Sequence, residues 1–223
     1  WSIHAAMPIN FDWFDLGPYA NKSFVETGIF HGEGAMKALA SGHFERVVSI
    51  EANRELVDRA ADRFKLYVAT GLLKVVHDDS ANLSEHIKDL AHPITFFLDA
   101  HGHWFHERRA ESADGGGAPP EALLASVEAS GAASADAGAS VCPLLQELEA
   151  IKQHPLAAKH TILIDDRRCL QPGWTHPTQF WWRGLSEEAV LGKLREINPH
   201  FEISFIDGLV PGDIIAAVPP ESA

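Results

Sequence analysis

Short apolar runs, each closed by a glycine or a carboxylate, alternate with longer stretches whose apolar residues recur every three or four positions. That alternation predicts an α/β domain built around a largely parallel sheet. Ser23–Thr27 (SFVET), Arg46–Ile50 (RVVSI), Leu72–Val76, Ile94–Leu98 (ITFFL) and Thr161–Ile164 (TILI) read as strands. Ile94–Leu98 is a continuous apolar run that stops at Asp99, as expected of a central strand covered on both faces. Helices are expected over Gly34–Ala40, Arg54–Leu66, Ser84–Leu90, Pro143–Gln153 and Ser186–Ile197. In the second of these, Leu56, Val57, Ala60, Ala61 and Phe64 share one face and Asn53 is the expected N-cap. Pro143 suits a first turn, with Leu144, Leu145, Leu148 and Ile151 on one side. Ser186 opens the last helix as a capping residue. Phe201–Ile206 and Asp213–Val218 close the chain as two strands, and the short turn between them, with Gly208, Pro211 and Gly212, makes them antiparallel.

The pattern breaks once. Ala, Gly and Ser fill 21 of the 31 positions from 110 to 140. Such a stretch buries too little apolar surface to offset its ordering entropy, so about 107–140 reads as a flexible insert in a single domain spanning 1–223. Glu121–Glu128 is its one helical candidate. Because the insert directly follows Asp99-Ala100-His101, its base is expected over whatever site those residues form. The segment Arg167–Gly184 is irregular and carries Trp174, Phe180, Trp181 and Trp182, either a stacking platform for a ligand or a flap packed on the sheet.

Composition narrows the partners. The 223 residues suit one domain, and 18 basic against 31 acidic residues leave a formal charge of −13. A surface that acidic repels phosphate backbones and anionic lipids, so neither nucleic acid nor membrane is an expected partner. No apolar run reaches the ~18–20 residues of a membrane span. Cys142 and Cys169 match no disulfide or zinc framework and read as free thiols. Asn21-Lys22-Ser23 fits a glycosylation sequon that acts only in a secretory compartment. The first residue is Trp1, so the chain reads as processed or excerpted, and its compartment is unassigned, cytoplasmic by default.

Chemistry gathers where strands end. Glu26-Thr27-Gly28-Ile29-Phe30-His31-Gly32-Glu33-Gly34 lies between the first strand and the first helix, and its glycines let a ligand approach the backbone closely. The spacing is not the G-x-G-x-x-G of dinucleotide binders. Glu26 and Glu33 are ill suited beside a pyrophosphate but suit a cationic nucleoside without phosphates. Glu51, at the end of the second strand, is placed to accept two ribose hydroxyls. Asp79-Ser80 follows the third strand, where a carboxylate either takes an adenine amine or caps the next segment; Asp78 competes for that role.

VETGIFHGEG, SIEANREL, VVHDDSANL and FFLDAH, followed by CPLLQELEAI and TILIDD, resemble the ordered motifs of class I S-adenosylmethionine-dependent methyltransferases. The resemblance runs from Ser23 to about Arg168. It implies a three-layer Rossmann-like sandwich: a seven-stranded, mostly parallel sheet with an antiparallel C-terminal hairpin. It also implies S-adenosyl-L-methionine as cofactor, with contacts at Glu26, Gly28, Glu51 and Asp79. Thr27, Gly32, Ser80 and Asp99 complete the cofactor candidates. At position 30 the chain has Phe30 where the family usually has glycine.

A second acidic group, Asp99 with Asp165-Asp166, is expected at the ends of neighbouring strands. Three carboxylates there call for a cation, and Mg²⁺ is the expected one. Metal-dependent sugar and catechol O-methyltransferases look similar at these positions. That likeness implies a small hydroxylated acceptor, with Asp99 at the reacting centre and His101 or His103 as proton acceptor. The alternatives are helix-capping roles for Asp99 and Asp165, and neutralisation by Arg167 and Arg168. His101, His103 and His106 fit no usual zinc spacing. A nicotinamide-dependent oxidoreductase on a related fold and a non-catalytic nucleoside-binding module are the competing functions, and oligomerisation is left open.

Overall fold

A computed structural model describes residues 14–100, 142–175 and 179–220. The insert expected at about 107–140, the Glu121–Glu128 helix, and His101, His103 and His106 lie outside the described residues. The elements are β1 (Ser23–Thr27), α1 (Glu33–Ser41), β2 (Arg46–Glu51), α2 (Arg54–Arg63), α3 (Lys65–Ala69), β3 (Leu73–His77) and α4 (Leu83–Ile87). They continue with β4 (Ile94–Leu98), α5 (Leu144–Lys152), β5 (Thr161–Ile164), α6 (Glu187–Ile197), β6 (Glu202–Ile206) and β7 (Ile214–Val218). Three strands, β1, β4 and β5, fall on the residues that the apolar runs marked.

The strands form one sheet in the order β3-β2-β1-β4-β5-β7-β6. Only β7 runs against the rest, antiparallel to both β5 and β6, so the C-terminal hairpin is as expected. Parallel strands need crossover helices, and the right-handed crossovers of such units place helices on both faces. Strand residues accordingly split by parity between two cores. Val25, Phe96, Ile162 and Ile215 point into one with Leu83, Leu148 and Val190, from α4, α5 and α6. Phe24, Phe97, Leu163 and Ile214 point into the other with Ala35, Leu39, Leu56 and Ala60, from α1 and α2. The result is the three-layer sandwich, with β1, β4 and β5 buried throughout their length.

Two expected helices are shorter than their apolar periodicity suggested. The run Arg54–Leu66 breaks at Phe64, whose ring turns inward while Leu66, Tyr67 and Val68 of α3 stay exposed. The segment Ser84–Leu90 begins as a 3-10 turn at Ser80–Asn82 and ends as α-helix at Ile87. Caps were legible. The Asn53 side chain accepts from the N–H of Glu55 and Leu56, and Ser186 accepts from Ala189. Among the described residues no helix is long and apolar enough to cross a membrane. Cys142 and Cys169 are buried free thiols.

Strand order places the reversal of winding between β1 and β4, and ligands of open α/β sheets bind beyond the carboxyl ends of strands at such a point. The carboxyl edge is therefore where chemistry is sought. Two substitutions test the packing away from it. Asn53→Ala removes an acceptor for two backbone donors and should cost about 1 kcal/mol of unfolding free energy. Leu148→Ala opens a fully buried site in α5 and should cost about 2–5 kcal/mol. Urea unfolding followed by circular dichroism measures both.

Candidate functional site

The β1–α1 turn is held by contacts with its neighbours, and those contacts explain its glycines. Gly28, with φ +80°, lies so close to β4 that a Cβ would meet the Asp99 carbonyl oxygen at 2.6 Å. Gly32, with φ +84°, faces the Phe64 ring, which a Cβ would also meet at 2.6 Å. At Gly34 a Cβ would fall 2.0 Å from Oε2 of Glu26. The spacing G-x-x-x-G-x-G is thus a packing requirement in its own right: strand, α2 and a buried carboxyl each come within contact of the chain. Phe30 takes φ +44°, a region that costs an L-residue roughly 1–2 kcal/mol. The turn demands a glycine-like backbone there although the side chain is phenylalanine.

Glu51 pins this turn from β2. Its Oε2 accepts from the N–H of Ile29 at 3.1 Å and of Phe30 at 3.4 Å, and its Oε1 accepts from Asn53 at 2.7 Å. Burial pushes the Glu51 carboxyl up, while these backbone donors hold it down in part. Glu51, the carboxylate expected at a ribose, stands at the strand end and is engaged in fixing the β1–α1 loop.

Glu26 is only 1% exposed. It lies beneath α1, accepts from the Ser49 hydroxyl, and is pushed from 4.5 up to about 8 by burial, with Asp99, Glu33 and Glu51 adding repulsion. It is therefore mostly protonated at neutral pH. Thr27, on the opposite face of β1, is fully buried with its Oγ1 unpartnered, and Oε2 of Glu33 is buried without a partner as well. Asp79 caps the 3-10 turn, its Oδ1 accepting from Ala81 at 2.9 Å, and Ser80 is buried. Asp78 is engaged by Asn82 at 2.9 Å and His86 at 2.7 Å. Of the two aspartates, Asp79 keeps the more exposed carboxylate.

The second acidic group is arranged differently from the sequence expectation. The carboxylates close enough to converge on one ion are Asp165, Asp166 and Asp213, with ligand atoms within 4.8 Å of one another. Asp99 is not among them, although it lines a cleft together with Asp165, one of the three. Arg168 supplies the neutralising charge. It pairs with Asp166 at 2.5 Å and with Asp213 through Nη1, and its backbone N–H donates to Asp213 at 3.0 Å. Neutralisation was one of the alternatives open for Arg168, and it is the arrangement present. Arg167 reaches instead to Glu187 at 2.6 Å. Trp181 and Trp182 are buried in the α4–α6 core, with Trp174 partly buried against it, so these tryptophans form a flap whose Trp182 also lines the cleft.

Two residues of this edge were not singled out from the sequence. Asp213 stands before β7, and only the antiparallel pairing of β7 with β5 brings it to Arg168. Glu147 sits in α5, 1% exposed, with burial and the charges of Asp79 and Asp99 pushing it to about 7 despite nearby Ser80 and Thr27 hydroxyls. The signal for it was present: Glu147 lies three residues after Leu144 and four before Ile151, a carboxylate on the apolar face.

No protein-family model matches the chain, and no curated protein matches it. Solved structures do. The SAH-bound methyltransferase PaMTH1 from Podospora anserina aligns with 90% of this chain and 72% of its own, at TM-score 0.53 and 13% identity. A Clostridium thermocellum protein provisionally described as an rRNA-methylase aligns over 93% of this chain and 92% of its own, at TM-score 0.51 and 12% identity. An O-methyltransferase from Bacillus cereus in complex with SAH is a looser match, at TM-score 0.47. At these identities the likeness establishes the fold. The chain has the Rossmann-like fold that SAH-bound methyltransferases use.

The protonated state of Glu26 generates a pH prediction. A carboxyl raised from 4.5 to about 8 on folding binds more protons folded than unfolded across that window, so stability is lost as pH rises through it. Glu26→Gln mimics the protonated form. Wild type should melt ~5 °C or more lower at pH 9 than at pH 6, and the variant should lose most of that difference in a calorimetric scan.

Proposed function

We propose that the protein transfers a methyl group from S-adenosyl-L-methionine to an oxygen of a small hydroxylated acceptor, such as a sugar. The observation that carries this is the carboxyl edge itself. A loop pinned by Glu51 adjoins buried oxygens of Thr27 and Glu33 and has acidic neighbours, and the Arg63 guanidinium at its rim is taken up by the His31 carbonyl. A dinucleotide gains nothing from that field, whereas a nucleoside carrying a sulfonium and an ammonium is stabilised by it. The residues present fit such a cofactor: Glu51 for the ribose hydroxyls, Asp79 and Ser80 for the adenine edge, and Thr27 with the Gly28 turn for the methionine portion. The bound cofactor would supply an electrophilic methyl whose departure leaves a neutral thioether.

In that reaction the acceptor oxygen forms a C–O bond as the C–S bond breaks, the bonding pair goes to sulfur, and the hydroxyl proton leaves to a base. Asp99, His101 and His103 are the proposed proton acceptors; the chain brings Asp99 to the end of β4 beside the loop. What the protein contributes is alignment, holding nucleophile and methyl at ~3–3.5 Å in line while excluding water. Asp165, Asp166 and Asp213 are the described carboxylates that could hold a divalent metal, which would acidify the hydroxyl, but Arg168 already pairs with two of them.

Isothermal titration calorimetry tests the reading. S-adenosylmethionine should bind with micromolar affinity, and Glu51→Ala should weaken it at least tenfold, about 1.4 kcal/mol. Binding of NADH in its place would identify an oxidoreductase, and cofactor binding without turnover across hydroxylated acceptors would identify a binding module.

A further inference from the structure

Three buried carboxylates meet where β5 ends and β7 begins: Asp165, Asp166 and Asp213 each offer an oxygen within 4.8 Å of the others. Carboxylates withdrawn from water need a countercharge, and this spacing suits a divalent cation. The chain supplies a different one. Arg168 donates from Nη2 to Oδ1 of Asp166 at 2.5 Å and from Nη1 to Oδ2 of Asp213. Its backbone N–H donates to Oδ1 of Asp213 at 3.0 Å, so both oxygens of Asp213 are spent on one residue. Oδ1 of Asp165 is taken by the Asp166 N–H at 2.8 Å. The backbone that carries the arginine is tied down as well, because the Arg167 N–H donates to the Asp213 carbonyl at 2.7 Å. Each of the three candidate ligands is therefore already engaged within the chain, and the Arg168 side chain is itself largely buried among them.

We infer that Arg168 is a built-in countercation filling a divalent-metal site, so that the chain takes up no divalent ion at Asp165, Asp166 and Asp213. A site made for Mg²⁺ presents oxygens free to complete an octahedron at about 2.0–2.1 Å, with waters filling the remaining positions. Here the planar fork of a guanidinium spans two of the three ligands. An entering ion must displace it from both. The displaced guanidinium would then lie beside a divalent charge in a poorly solvated place, which Coulomb repulsion opposes. Asp99 does not make up the loss, because it stands outside the set. The consequence for the reaction rests on the transferase reading, whereas the cation site itself does not. A guanidinium donates hydrogen bonds but cannot ligate a hydroxyl oxygen as a Lewis acid does. The acceptor's proton must then leave to a side-chain base without metal assistance, and transfer is indifferent to chelator and to added Mg²⁺.

Mn²⁺ titration of the full chain, read by electron paramagnetic resonance, tests this, together with melting temperatures in Mg²⁺ and in chelator. Wild type should show no Mn²⁺ site tighter than millimolar that depends on Asp166 or Asp213, and should melt alike in Mg²⁺ and in chelator. Arg168→Met, which keeps an unbranched side chain and removes the charge, should gain one Mn²⁺ site at least tenfold tighter and a melting temperature that Mg²⁺ raises. Adding Asp213→Asn to that variant should abolish the gained site. Arg168→Gln should gain the same site, which keeps the inference testable if the first variant misfolds. Micromolar Mn²⁺ binding by wild type that Asp166→Asn or Asp213→Asn removes would overturn it, and so would folded Arg168 variants that gain no site. S-adenosylmethionine titrated into wild type separates the two readings. Nucleoside binding with a wild-type divalent site at these carboxylates defeats this inference alone, and a gained site in the variants without nucleoside binding by wild type defeats the transferase reading alone.

Discussion

Negative charge held out of water at one edge of a sheet is the constraint on which the molecule is organised. Glu26, Glu147, Asp165, Asp166 and Asp213 are all buried, and Glu51 and Asp99 are partly so. Ionised carboxylates cannot be withdrawn from solvent without protonation, hydrogen bonds or a countercharge. The chain uses all three. Glu26 takes up a proton under α1, Glu51 is bonded by three backbone donors, and Asp166 and Asp213 share Arg168. Asp165 accepts from the Asp166 N–H, Glu147 has the Ser80 and Thr27 hydroxyls beside it, and the two line one cleft.

Parallel strand pairing creates this edge. With β1 between β2 and β4 in register, the residues just past Thr27, Ile50 and Leu98 emerge side by side. Each position then inherits its chemistry from parity. Glu26 shares the α1 face with Phe24 and Phe97, whereas Thr27 shares the α5 face with Val25 and meets Glu147. A one-residue slip in β1 would exchange the two and bury the wrong polar group on each side.

Much of this was legible in the chain. Local apolar runs marked the strands, because a central parallel strand must be apolar on both faces, and Asn53 and Ser186 announced their helices. Glu51 stood out as a carboxylate at the end of a β-branched run, where it could meet ribose hydroxyls, but its hold on the Ile29 and Phe30 N–H groups was not visible in the sequence. The glycines of the β1–α1 turn were read as room for a ligand, whereas what comes close to them in the structure is Phe64, the Asp99 backbone and Glu26. Pairings across long separations were hidden for the same reason. Arg168 meets Asp213 only because β7 inserts between β5 and β6, and no local pattern encodes that insertion. Glu147 was visible as an acid on an apolar stripe, yet its meaning depends on the cleft that β4, β5 and Trp182 complete.

We propose that this edge holds a cationic nucleoside on the Glu51 side, with the methyl acceptor approaching past the end of β4. A crystal structure of the protein saturated with S-adenosylmethionine tests it most directly. The expected result is the nucleoside across the carboxyl ends of β1, β2 and β3, with both ribose hydroxyls on Glu51 and the sulfonium turned toward the end of β4 at Asp99. A nucleoside bound away from that edge, with Glu51 still fastened only to the loop, would contradict it.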